Sequence, residues 1–184
     1  MHTPPAPMRP QPQPMRLDRA TTAVAVLDLG TRCDDPAAEC HQLLDGIGAF
    51  LDRARSARVP IVFTVSLSAK GTPLGEVAGA LRRQPGEPVL YPDGFDKFTG
   101  GELQTWLTQR GVRNLVVAGS ATNFAVMYTA TAAARNYRYN VVIPLDGVNA
   151  GNAYQHEYAL HQLSVLPAAA VKIQFSTLSM IEFR

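Results

Sequence analysis

Three observations predict a Rossmann-like three-layer α/β/α sandwich with a mainly parallel central sheet. Short apolar runs rich in β-branched residues recur along the chain, as in Thr22-Ala23-Val24-Ala25-Val26-Leu27 and Leu115-Val116-Val117-Ala118. Each run is uniformly apolar instead of alternating, which is the pattern of a strand covered on both faces. Stretches with apolar residues at helical spacing separate the runs, and strands that alternate with helices build a parallel sheet clad on both sides. At 184 residues and 46% hydrophobic, the chain is sized for one domain that buries its core without a metal or disulfide staple.

The elements follow in order. Residues 1–20 begin with a proline- and glutamine-rich segment that has few backbone donors and little to bury, so a disordered or polyproline-like arm is expected. A single domain then spans residues 21–184. Thr22 to Leu27 is the first strand and ends on Asp28. From Pro36 to about Arg58, Leu43, Leu44, Ile47, Phe50, Leu51 and Ala54 recur on one helical face. Pro60 to Val65 is the second strand. A glycine- and proline-punctuated excursion follows, with a helical patch from Val77 to Arg83. Pro88 to Tyr91 is extended, and Glu102 to Gln109 is a short helix stopped by Gly111. The third strand, Leu115 to Ala118, leads into a helix from Asn123 to Arg135. Val141 to Leu145, a helix from Asn152 to Leu166 and a strand from Val171 to Phe175 complete the pattern.

Charge excludes several classes of partner. A net charge of +2 with scattered basic residues gives no stripe for nucleic acid or an anionic membrane, and no apolar stretch is long enough for a signal peptide or a membrane span. Cys33 and Cys40 do not make a disulfide framework, so the cytoplasm is the expected compartment. His41, His156 and His161 lack metal-ligand spacing and read as surface or partner histidines, and no metal site is implied.

Chemistry concentrates at strand ends. Asp28 sits at the C-terminal end of a buried strand, where open α/β sheets hold their ligands, and a charge placed there needs a partner or a purpose. The stretch Val116 to Thr129 passes from strand through Gly119, Ser120, Ala121 and Thr122 into an alanine-rich helix, a turn that gathers backbone N–H groups beside the residue opening the helix. Many enzymes keep a nucleophile there, next to donors that hold an oxyanion. Here that residue is Ala125, which has no such chemistry. Lys97 is either a surface lysine beside Asp96 or an electrostatic partner for Asp28. Phe95 and Phe98, which flank it, are candidate walls of a substrate pocket. Cys33, five residues past Asp28, is either a thiol without catalytic duty or a relocated nucleophile.

The order and spacing of these segments resemble the isochorismatase-like hydrolase superfamily from about Thr21 to Phe183. The resemblance rests on Asp28 ending the first strand, on Lys97-Phe98-Thr99-Gly100-Gly101-Glu102-Leu103, on Gly119-Ser120-Ala121-Thr122-Asn123-Phe124-Ala125-Val126, and on Val142-Ile143-Pro144-Leu145-Asp146-Gly147. It implies a cofactor-free hydrolase in which an aspartate and a lysine serve the site, and a cis peptide at Ser120-Ala121. The departures are specific. Alanine stands where the cysteine hydrolases carry their nucleophile, so the covalent step is lost. The family lysine usually lies several residues before the phenylalanine, at Pro92 here, and Gly30 replaces a common glutamine.

Isochorismatases proper also lack the cysteine and hydrolyse a vinyl ether with the aspartate as acid. The resemblance thus implies a hydrolase or lyase acting on a small metabolite by non-covalent acid/base chemistry, with Asp28 and Lys97 catalytic and Ser120, Ala121, Thr122 and Ala125 forming an anion-holding nest. The alternative is a catalytically inactive member serving as a ligand-binding or oligomeric scaffold. Exposed apolar helices such as Tyr154 to Leu166, with family habit, point to a homodimer or a higher homo-oligomer.

Overall fold

The computed structural model describes residues 8–167 and 173–184 and has the expected three layers. Its main sheet is wholly parallel. The order is β4 (Val89–Leu90), β3 (Ile61–Thr64), β2 (Thr22–Leu27), β5 (Asn114–Ser120), β6 (Asn140–Pro144) and β8 (Ile173–Ser176), and β7 (Val148–Asn149) pairs with the end of β5. The long central pairing of β2 with β5 runs from Thr22 opposite Asn114 to Leu27 opposite Gly119. It fixes Asp28 beside the turn that follows β5.

Pleating sends alternate residues of each central strand into opposite cores. Ala25, Leu27 and Val117 face α2 (Glu102–Thr108), α3 (Met127–Arg135) and α4 (Ala153–Ser164), where Leu103, Ala130, Ala133 and Leu160 are buried. Val24, Val26 and Val116 face α1 (Leu44–Ser56), with Ile47, Phe50 and Leu51. Both faces are therefore covered, which explains why these strands are apolar at every position.

Several boundaries differ from the sequence reading. The N-terminal segment from Met8 to Ala20 is built onto the domain and is not a free arm: β1 (Met15–Leu17) pairs in parallel with β9 (Ile181–Phe183), the Gln13 N–H donates to the Phe175 carbonyl at 2.8 Å, and Met15 and Leu17 are buried. Residues 1–7 lie outside the described residues. A 3₁₀ turn, Glu39–Leu43, occupies the start of the predicted first helix, a second, Thr31–Asp34, precedes it, and a disulfide joins Cys40 in the one to Cys33 in the other. This corrects the expected absence of a disulfide and both readings of Cys33, as a thiol without catalytic duty and as a relocated nucleophile, since neither sulfur is a free thiol.

The Val77 to Arg83 patch is only a three-residue turn, Gly79–Leu81, ended by Arg82 in the left-handed region at φ 48°. The helix after β5 opens with a π-helical turn, Thr122–Val126, before α3 begins. Of the predicted last strand, Val171 and Lys172 lie outside the described residues. Among the described residues no helix is long and apolar enough to cross a membrane.

Candidate active site

Gly119 sets the spacing of the site. Its φ is 128°, and a Cβ there would come within 2.1 Å of the Leu27 carbonyl oxygen, so only glycine lets β5 close on β2 immediately before Asp28. Asp28 itself takes φ 55°, which turns the chain away from the sheet, and its N–H donates to the Thr64 carbonyl at 2.9 Å. A non-glycine residue in this region carries strain that the surrounding hydrogen bonds must hold.

The structure brings Asp28 and Lys97 together. The Lys97 Nζ lies 2.8 Å from Asp28 Oδ2, and the lysine side chain is 2% exposed against 25% for the aspartate. Nζ also donates to the Gly94 carbonyl at 3.2 Å. Thr129 of α3 pins this loop: its hydroxyl accepts from the Lys97 N–H at 3.0 Å and donates to the Phe95 carbonyl at 3.2 Å. Lys97 therefore faces inward, and the solvent-facing alternative is set aside. Asp28 Oδ1 is buried without a hydrogen-bond partner. Burial pushes the Asp28 carboxyl above its ordinary range, while the Lys97 ammonium, and more weakly Arg32, pull it back.

On the other side of β5, the Ser120-Ala121 peptide is cis. The Ala121 carbonyl accepts from the N–H groups of Phe124 at 3.0 Å and Val126 at 3.2 Å, which shapes the π-helical turn. Thr122 and Ala125 are buried beneath that turn. The Thr122 hydroxyl lies 2.9 Å from His156 Nδ1 of α4. Gly30 lets the excursion come close: it bridges to Val77, and a Cβ would fall 2.9 Å from the Leu74 carbonyl oxygen.

The two phenylalanines part company. Phe95 is 54% exposed and stacks on Phe124 with ring centroids 4.8 Å apart, so it stands at the surface between the Lys97 loop and the nest turn. Phe98 is buried and stacks on Tyr137 and Tyr139 at 4.4 and 6.1 Å. Its ring belongs to the core, which corrects its assignment as a pocket wall. A groove of about 420 Å³ between α3 and α4 is lined by Met127, Tyr128, Tyr158 and Leu166 and contains neither Asp28 nor Lys97. Its one carboxylate, Asp96, is raised by burial and is tied to its own loop, accepting from the Phe98 N–H at 2.9 Å, whereas Asp28 keeps one buried oxygen without a partner. Among the described residues no cluster of His, Cys, Asp and Glu could hold a metal.

Sequence reasoning missed Thr64, Arg32 and Thr129. Thr64 carries a buried hydroxyl without a partner and lies beside Asp28. No local spacing signals these residues, because each meets the site across strands or loops.

A parallel sheet clad by helices on both faces, with an aspartate and lysine pair at its C-terminal edge, defines a three-layer α/β protein. Residues 23–174 match the isochorismatase domain, and the chain belongs to that family. No curated protein sequence matches the chain. Among solved structures, an isochorismatase family protein from Desulfovibrio vulgaris is 22% identical with a TM-score of 0.75, covering 86% of this chain and 95% of that one. The nicotinamidase of Staphylococcus aureus is 22% identical with a TM-score of 0.71, over 84% and 97% of the two chains. The N-carbamoylsarcosine amidase of Thermoplasma acidophilum is 19% identical with a TM-score of 0.72, over 86% and 96%. At these identities the likeness to the solved structures is one of fold.

Proposed function

We propose that the chain is a hydrolase or lyase that acts on a small metabolite by non-covalent acid/base chemistry centred on Asp28. The observation that carries this reading is the asymmetry of the Asp28 carboxyl: one oxygen meets a buried ammonium and the other is buried without a partner. A carboxyl raised by burial is protonated at a higher pH than an ordinary aspartic acid and can deliver that proton. Ala125, buried at the opening of the helix, offers no nucleophile, so water must attack directly.

On a vinyl ether, the alkene π pair takes the Asp28 proton at carbon, and the ether oxygen lone pair forms the oxocarbenium ion. Lys97 stabilises the carboxylate left behind. Water then adds to the oxocarbenium carbon and returns a proton to Asp28, and the hemiketal collapses to carbonyl and alcohol. The nest from Ser120 to Ala125 holds an anionic group of the substrate, and Phe95 with Phe124 lines its approach. No cofactor takes part in this sequence. A homodimer or higher homo-oligomer is part of the proposal, formed through exposed aromatic residues such as Tyr128, Tyr154 and Tyr158.

Turnover of a panel of vinyl ethers, amides and related acids by the parent and by Asp28→Asn and Ala125→Cys variants tests the reading. The parent is expected to turn over a vinyl ether and Asp28→Asn to lose that activity. Ligand binding without turnover of any member by the parent would instead mark a catalytically inactive scaffold.

A further inference from the structure

The flank of the nest away from Asp28 carries a second polar chain, and it ends on the N-terminal segment. His156 of α4 is half-buried, with Nδ1 at 2.9 Å from the hydroxyl of the fully buried Thr122. Its other nitrogen, Nε2, faces the Arg9 guanidinium at 3.4 Å. Arg9 also lies 3.7 Å from Glu157. Arg9 and His156 border a cavity of about 360 Å³, with Asn149 and Asn152 on its wall and Asp146 the further charged group that lines it.

The chemistry of the two partners fixes the histidine. A guanidinium only donates hydrogen bonds, so the nitrogen facing it must present its lone pair. A neutral imidazole has one N–H, which then sits on Nδ1 and donates to the Thr122 oxygen. The hydroxyl hydrogen of Thr122 is consequently not spent on His156 and stays free to donate. The charges around the ring agree with a neutral form: burial and then Arg9 lower the His156 pKa, and Glu157 opposes them more weakly.

We propose that His156 is a positioning residue for the nest, held in its Nδ1–H form by Arg9 so that it anchors Thr122 as a hydrogen-bond donor toward a substrate anion. The substrate end of this statement rests on the acid/base reading of the site, and the histidine form does not. Protonation at low pH adds an N–H on Nε2 facing Arg9, so the Arg9 contact is lost while the bond to Thr122 persists. The N-terminal segment thereby senses the same histidine that orders the nest.

Long-range ¹H–¹⁵N correlation spectra of the full-length protein, with ¹⁵N-labelled histidine, test the proposal without any substrate. At pH 8 the His156 Nδ1 is expected to carry the proton and Nε2 to resonate as an unprotonated nitrogen, with a titration midpoint below the ordinary 6.5. In Arg9→Met the midpoint should rise, and the ring should shift toward the Nε2–H form that free histidine favours. Thr122→Val, which removes the acceptor, should produce the same change of form. An Nε2–H ring in the parent, or a ring indifferent to Arg9→Met, would overturn the proposal. Neither result depends on whether Asp28 is the acid.

Discussion

Two ion pairs lie close to the sheet, and they are built for different ends. Arg55 and Glu87 meet as a fork, Nε to Oε1 at 2.8 Å and Nη2 to Oε2 at 3.0 Å, with both side chains 11% exposed. Further bonds tie both partners: Glu87 Oε2 also accepts from the Gln84 N–H at 2.8 Å, and Arg55 donates to the Leu81 carbonyl at 3.1 Å and to Asp52 at 3.2 Å. The Asp28 and Lys97 pair is a single contact of 2.8 Å that leaves Oδ1 without a partner. Both oxygens of Glu87 have partners, and the pair fixes the excursion over α1. An unsaturated one retains capacity for a proton or a substrate, at a cost of about 1–3 kcal/mol for the unmet buried acceptor.

The largest effect that separates the two pairs is catalytic. Asp28→Asn should lower kcat/KM by on the order of 10²–10⁴, the usual contribution of a positioned acid or base, whereas Glu87→Gln should leave it unchanged. Equal losses in steady-state assays of both variants would erase the distinction. Arg55→Met, which strands a buried carboxylate, should cost about 3 kcal/mol in urea unfolding with turnover intact. Replacing both cysteines by alanine should cost about 2.5 kcal/mol by the same measurement, the chain-entropy value for so short a loop, and less if the 3₁₀ turns hold the segment in the unfolded chain. Phe95→Ala should move stability by no more than about 0.5 kcal/mol, because the ring is exposed, and should act on KM instead.

The layers and the parallel sheet were legible because Val24 to Leu27 and Leu115 to Ala118 are apolar at every position, a pattern that only double burial produces. Asp28 was legible for the same reason, as the first charge after such a run. The paired short strands Met15–Leu17 and Ile181–Phe183 were not, since three residues show no period and their partners stand at opposite ends of the chain. The Cys33 to Cys40 bond escaped because Cys40 sits in a 3₁₀ turn that the helical spacing of the neighbouring leucines concealed, facing the turn that holds Cys33. Lys97 could be named as a candidate, but its direction depends on Thr129, thirty-two residues away, catching the loop from α3. His156 read as an ordinary surface histidine until Thr122 and Arg9 were seen on its two nitrogens.

The raised Asp28 carboxyl has a consequence for stability whose sign is fixed. In the window from the ordinary 3.8 up to its native value, the folded protein binds a proton that the unfolded chain has released. The contribution of Asp28 to stability is therefore fully present below that window and falls as pH rises through it.

The central claim, that Asp28 is an open acid held by Lys97, is tested most directly by a ¹³C NMR titration of the Asp28 carboxyl in the parent and in Lys97→Met. A midpoint above 3.8 in the parent, moving higher once the ammonium is removed, is the expected result. A midpoint at or below 3.8, or one that Lys97→Met leaves in place, would contradict it.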